Sequence, residues 1–366
     1  MKWSWKLGRV AGIDVYMHAT FLLLIGWLAF NYWLQGDTLQ AVLSGVGFVL
    51  ALFACVVLHE FGHALTARRY GIRTRDVTLL PIGGVARLER MPEVPLHELW
   101  VALAGPAVNV AIAGLLFAGL SFAGRLSGLQ ALDPTQGTFW TRLMLINLTL
   151  AAFNMIPAFP MDGGRVLRAL LATRLEYTRA THWAASLGQG IAFVFGLIGL
   201  FSNPLLVFIA LFIWIGAGQE ASMVEMKAAL GGIPVSRAML TQFQTLSPHD
   251  TTSRAVQLIL AGSQHDFPVV EDGRVVGVLT RSDLLTALAH GKQAAPVAEV
   301  MRRDFETIEA SAMLERASVQ LQNCECHTLP VTRGGELIGL LTMENVGEFL
   351  MIQSALDKAR RQARPA

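Results

Sequence analysis

Long apolar runs alternate with short charged connectors up to about residue 220, after which the chain changes character. Six runs approach the ~20 residues that a helix needs to cross hydrocarbon: about 18–35, 42–66, 98–122, 140–157, 184–201 and 204–220. Little more than Ser202-Asn203-Pro204 separates the last two, which predicts a tight hairpin of membrane helices. Phe21–Phe30, preceded by Lys2, Lys6 and Arg9, has the outline of a signal peptide. No small-x-small cleavage site follows, and Asn31-Tyr32-Trp33-Leu34 is aromatic, as at a bilayer interface. The segment reads as an uncleaved first span.

From about Gly232 the periodicity is that of a soluble α/β protein, and a duplication appears. Val235, Met239, Thr245, Pro268, Gly277, Thr280 and Asp283 recur as Val297, Met301, Thr307, Pro330, Gly339, Thr342 and Asn345, always 62 positions on. Each copy reads as a short strand, a helix (Thr252–Ala261; Met313–Asn323), a hairpin and a closing helix. In the first copy Asp272-Gly273 is the turn between Phe267–Val270 and Val275–Leu279. Glu220–Leu230 is helical in propensity and joins the last span to this module, with Gly231-Gly232 as hinge. The expected organisation is a membrane domain over 1–222, a linker over 223–232, repeats over 233–290 and 291–350, and a basic tail over 351–366.

A chain that is 53% hydrophobic and 15% charged is no ordinary soluble protein. Its net charge of +2, with no basic arm or groove-reading motif, gives no reason to expect a nucleic-acid partner. The C-terminal run Lys358–Arg364 reads as a solvated end. Positive charge orients the spans: Lys2, Lys6 and Arg9 precede the first, and Arg68, Arg69, Arg73, Arg75, Arg87 and Arg90 follow the second. Arg165, Arg168, Arg174 and Arg179 follow the fourth, whereas the opposite side offers mainly Arg125, with Arg142 at a helix start. Both termini and the repeats are therefore expected in the cytoplasm of a multi-pass protein of the cell (inner) membrane. Cys55, Cys324 and Cys326 make no disulfide framework; Cys324-Glu325-Cys326-His327 hints at a second metal but matches no common zinc knuckle, so the thiols are expected to be reduced.

The chemistry centres on His59-Glu60-Phe61-Gly62-His63. On a helix this spacing puts two imidazoles on one face, able to hold one Zn²⁺ with Glu60 beside it as general base. Ionisable groups in so apolar a run are costly and point to function. The orientation brings the fourth span to the same depth, where it breaks at Pro157 and Pro160 just ahead of Asp162. His59, His63 and Asp162 then make the three protein ligands that a catalytic zinc requires. Asn154 and Asn109 are candidates for holding substrate backbone or an oxyanion, or equally for bonding helix to helix.

HEFGH in one membrane helix, joined to NMIPAFPMDGGR in a later one, resembles the site-2 protease family of intramembrane zinc metalloproteases. Gly12-Ile13-Asp14-Val15 leading to His18, Pro81-Ile82-Gly83-Gly84-Val85-Ala86 and Ala104-Gly105-Pro106-Ala107-Val108-Asn109 fit as well. The resemblance implies one zinc per chain and cleavage of a membrane-embedded segment of a protein, such as a membrane-bound regulator of the anti-sigma type. It also implies a membrane-associated strand and loop region over 71–97 that presents substrate. Residues 233–350 look like a pair of CBS domains, which implies an adenine nucleotide between the copies, held at Thr280 with Asp283 and at Thr342 with Asn345. Asn345 departs from the usual Asp, and a structural or homodimerising pair is the alternative. The fold class is thus a polytopic α-helical membrane domain of about six spans followed by a soluble α/β CBS tandem. A CBS-regulated transporter or channel with a His/Asp cation site is the competing function, against which Glu60 argues.

Overall fold

The computed structural model describes residues 3–362, apart from 37, 82, 90, 91, 93, 125–136, 325 and 327. Lys2, Arg90 and Arg125 of the charge pattern, Ile82 of the loop motif, Glu325 and His327 of the second metal pattern and the end of the basic tail lie outside the described residues. Contacts divide the chain into two units, Met1–Val224 and Glu225–Ala366.

The first unit opens with a hairpin that the hydropathy pattern does not announce. Strands β1 (Ser4–Val10) and β2 (Ile13–His18) pair antiparallel, and β2 then pairs parallel with β3 (Thr74–Leu80). Strand β4 (Gly83–Leu88) completes a four-stranded sheet of order β1-β2-β3-β4. The strands expected over 71–97 are thus part of a larger sheet. Its inner face, Ile13, Val15 and Val77, packs on Phe61 and Ala64, the first between the two histidines in sequence and the second directly after them.

The crossover from β2 to β3 is made by α1 (Ala19–Leu34) and α2 (Leu39–Arg69). Thr38 caps α2 by accepting from the Ala41 amide, and Arg68 and Arg69 sit at its negative end. Then come α3 (Pro95–Phe122), with proline at its first position, α4 (Phe139–Asn154), α5 (Asp162–Ala172), α6 (Tyr177–Phe201) and α7 (Pro204–Leu230). Among the described residues four helices, α2, α3, α6 and α7, are long and apolar enough to cross a membrane. Phe122 and Phe201 are almost wholly exposed, a placement that suits lipid rather than water. The first and fourth expected spans fall on α1 and α4, of 16 residues each, about 24 Å of helix against a core of about 30 Å. The reason is local: the His18 cap starts α1, and the Pro157/Pro160 segment stops α4 before Asp162.

In the second unit each repeat contributes a helix and a hairpin. The first has α8 (Thr252–Ala261), β5 (Phe267–Glu271), β6 (Arg274–Leu279) and α9 (Arg281–Ala289), with Asp272-Gly273 as the turn. The second has β7 (Ile308–Glu309), α10 (Leu314–Asn323), β8 (Thr328–Arg333), β9 (Glu336–Thr342) and α11 (Met343–Gln362). The short strand expected to lead each copy is β7 in the second; in the first it shrinks to a bridge of Leu246 with Val269. Each copy's leading segment packs on the other copy. Val235 and Ala238 lie in a core with Leu314, Leu329 and Leu341, while Val297 and Met301 lie with Phe267, Val269 and Leu279. Sequence repeat and packing unit are therefore offset.

Candidate active site

Helix α2 turns His59 and His63 to one side, and α3 crosses it there closely enough to leave no space for a side chain. A Cβ on Gly105 would stand 2.2 Å from His63 Nε2 and 2.6 Å from His59 Nε2. Asp162 arrives as the first residue of α5, delivered by the turn Met155–Met161 that contains the cis Phe159–Pro160 peptide bond. The glycine after it is also dictated by space, since a Cβ on Gly163 would meet the Met155 and Ile156 carbonyl region. His59, His63 and Asp162 are all buried.

Their remaining hydrogen bonds settle which atoms face one another. Asn147 Nδ2 donates to the Leu143 carbonyl (2.8 Å), which can only accept. The Asn147 oxygen therefore takes the bond from Asn109 Nδ2 (2.9 Å), and Asn109 Oδ1 is left to accept from His59 Nδ1 (2.5 Å). His63 Nδ1 donates likewise to the Val101 carbonyl (2.7 Å). In the neutral rings both Nε2 atoms are thus bare lone pairs. They lie 3.1 Å apart, and 3.2 and 3.1 Å from Asp162 Oδ2. Ligands about 2.0–2.1 Å from a tetrahedral zinc stand about 3.3 Å apart. Two imidazole lone pairs and a carboxylate at this separation suit a small divalent cation and would repel one another around anything less positive; no other such group of three occurs among the described residues.

Glu60 is half-buried on the sheet side of α2. Its Oε2 accepts from the Ala86 amide of β4 (3.2 Å), and Gly84 lies against its Cγ. Asn109 is brought into the cluster, where both ends of its amide are engaged: Oδ1 by His59 and Nδ2 by Asn147. Asn154 closes α4 half-buried and makes no hydrogen bond to these residues.

Arg168, counted among the cations that follow the fourth span, is fully buried, with its guanidinium bonded to Glu98 of α3 and to Glu220 of α7 (2.6 Å) and stacked near Phe159 and Tyr177. The second Glu98 oxygen has no partner. Two acids in apolar helices, each without an evident role, were the signal that a buried cation must answer them.

In the second unit Thr280 and Asp283 form a reciprocal cap on α9. The Thr280 hydroxyl accepts from the Asp283 amide (3.1 Å) and donates to the carboxylate (2.5 Å). Thr342 and Asn345 repeat this on α11 (3.2 and 2.6 Å). The copies differ in what faces the cap. Arg302 grips Asp283 through Nε and Nη2 (2.7 and 3.1 Å), whereas its counterpart 62 residues earlier is Leu240. Partial burial works to raise the Asp283 pKa, but Arg302 and Thr280 outweigh it and hold the carboxyl below its ordinary value.

The peptidase family M50 profile matches residues 47–133 and 129–197, and the CBS domain profile matches 235–290 and 297–351. A zinc metalloprotease of Methanocaldococcus jannaschii is 32% identical over 348 residues, 94% of this chain and 96% of that protein. The solved site-2 protease of Methanocaldococcus jannaschii is 36% identical and covers 60% of this chain and 95% of that one, with a TM-score of 0.43. A CBS-pair protein of Arabidopsis thaliana, solved with AMP, is 26% identical and covers 34% and 99%, with a TM-score of 0.31. A relation that runs the length of both proteins, through the helices and the repeats alike, places this multi-pass membrane chain in peptidase family M50, as a zinc metalloprotease of the site-2 type with a C-terminal CBS pair.

Proposed function

We propose that the chain hydrolyses peptide bonds within or beside transmembrane segments of other membrane proteins, with His59, His63 and Asp162 holding the zinc and Glu60 acting as base. The observation that carries this is the convergence of three lone-pair groups on one point, with Glu60 on the next position of the same helix and tethered to β4. Zinc, when bound, supplies Lewis-acid polarisation of a carbonyl and makes water acidic enough to react near neutral pH. Glu60 takes the proton of the attacking water on a carboxylate oxygen and passes it to the departing amine nitrogen. A substrate helix hides its peptide bonds, so it must be unwound to react; β4, an edge strand beside Glu60, is where an extended segment can pair. In this reading α1 and α4 complete six spans with help from the flanking sheet and turn, the repeats face the cytoplasm, and substrates are membrane-bound regulators of the anti-sigma type. The experiment is Glu60→Gln with a reconstituted single-span substrate. Zinc should stay and cleavage should fall by several orders of magnitude; persistent cleavage would overturn the role of Glu60.

The CBS pair, in the same proposal, adjusts the protease by binding an adenine nucleotide at Thr280/Asp283. Support comes from the carboxylate and guanidinium side by side there, one suited to ribose hydroxyls and the other to phosphate; Thr342/Asn345 is the neutral counterpart. AMP, ADP or ATP should bind the full-length protein, and Asp283→Ala should weaken that binding several-fold, the loss of a hydrogen bond of about 1 kcal/mol. No binding at millimolar nucleotide would leave the pair a structural or homodimerising element.

A further inference from the structure

The link between α10 and β8 carries two thiols that proteolysis does not use. Cys324 ends α10, its amide still bonded to the Gln320 carbonyl (2.9 Å), and Cys326 lies two residues before Thr328 at the head of β8. Their sulfurs are 2.8 Å apart, and the Cys326 amide donates to Cys324 Sγ (3.3 Å). The third cysteine, Cys55, is buried in α2 of the other unit.

The pair is asymmetric in the way that thiol–disulfide exchange requires. Cys324 is partly exposed, whereas Cys326 is only 3% exposed. Burial first, and the adjoining Cys324 second, push the Cys326 thiol up to about 12. Cys324 is therefore the sulfur that a reagent reaches, with an amide N–H directed at it. Exchange proceeds through a thiolate, so it quickens as pH rises.

We infer that Cys324 and Cys326 form a reversible dithiol–disulfide site, in which Cys324 attacks a low-molecular-weight disulfide and Cys326 resolves the product. In the first step the Cys324 thiolate bonds to one reagent sulfur and the other leaves as a thiolate. Cys326 then gives up its proton to solvent, its sulfur bonds to Cys324 Sγ, and the second reagent thiolate departs. Two protein thiols are oxidised and one reagent disulfide is reduced. Closing the bond brings the sulfurs from 2.8 Å to roughly 2.05 Å. The site adjoins a link between the repeats: the Thr328 hydroxyl donates to Asp266 (2.9 Å), whose other oxygen accepts from the Arg281 amide (3.0 Å) next to Thr280. None of this depends on the protease or nucleotide readings.

The test is full-length protein in detergent, reduced, cleared of reductant and exposed to glutathione disulfide at neutral and mildly alkaline pH, then alkylated and mapped by peptide mass. The peptide holding Cys324 and Cys326 should lose two hydrogens, resist alkylation, form faster at the higher pH and reopen with a phosphine. In Cys326→Ser, glutathione should remain on Cys324. In Cys324→Ser, modification of Cys326 should be roughly tenfold slower or more, because that thiol is buried and protonated. Unreacted thiols, glutathione persisting on either cysteine of the unsubstituted protein, or a bond between two chains would each overturn the inference, and the unsubstituted protein alone reports all three.

Discussion

Replacing Asn109 by leucine removes no zinc ligand, yet it should weaken zinc binding as a ligand mutation does in milder form. Asn109 Oδ1 accepts the His59 Nδ1 proton and thereby leaves Nε2 bare toward His63 and Asp162. Without that acceptor the His59 ring loses both its tautomer and its orientation, and Asn147 Oδ1 loses its donor as well. Partners of this kind are typically worth 10- to 100-fold in metal affinity, or about 1.4–2.7 kcal/mol. Competition with a chromogenic chelator measures the affinity directly. Asn109→Asp is the control: a carboxylate still accepts from Nδ1, so affinity should remain close to that of the unsubstituted protein even though Asn147 Oδ1 loses its donor. Leucine within threefold of asparagine would refute the reasoning, as would aspartate binding as weakly as leucine.

Gly105→Ala tests space instead of bonding. The added carbon falls inside contact distance of both Nε2 atoms, so zinc measured by atomic spectroscopy should drop well below one per chain; full occupancy would mean that α3 can retreat without cost. Arg168→Met strands the Glu98 and Glu220 carboxylates, and leaving buried charge uncompensated typically costs about 3–5 kcal/mol. Equilibrium unfolding in mixed detergent micelles should show that loss, with Arg168→Lys intermediate; stability unchanged in Arg168→Met would show that the acids are neutral in the folded protein.

What could be read beforehand was whatever one residue type or one period carries. HExxH implies a shared helical face, the proline pair implies a break before Asp162, and the 62-residue recurrence implies two similar halves. The β1–β2 hairpin escaped because Trp3, Trp5 and Leu7 alternate only briefly before a far stronger apolar run, and the parallel pairing of β2 with β3 joins segments separated by two helices. Arg168 escaped because a cation next to a span has two readings, solvated or paired, and the acids that pair it lie 70 and 52 residues away. The role of Asn109 turned on its partners, which no local pattern discloses.

The crossed leading segments of the CBS repeats bear on how the gene can change. Recombination between the closing helices of the two tandem copies, in register, would excise 62 codons and leave a reading frame with one repeat. That product would not be half of the present module. Its leading segment would have lost the sheet it covers, and its sheet the segment that covers it, since each now comes from the other copy. Two such shortened molecules could restore both cores by exchanging leading segments, as in a domain-swapped pair. A deletion that looks conservative in the sequence would thus turn an intramolecular partnership into an intermolecular one, and tie the copy number of the repeat to the assembly state of the protein.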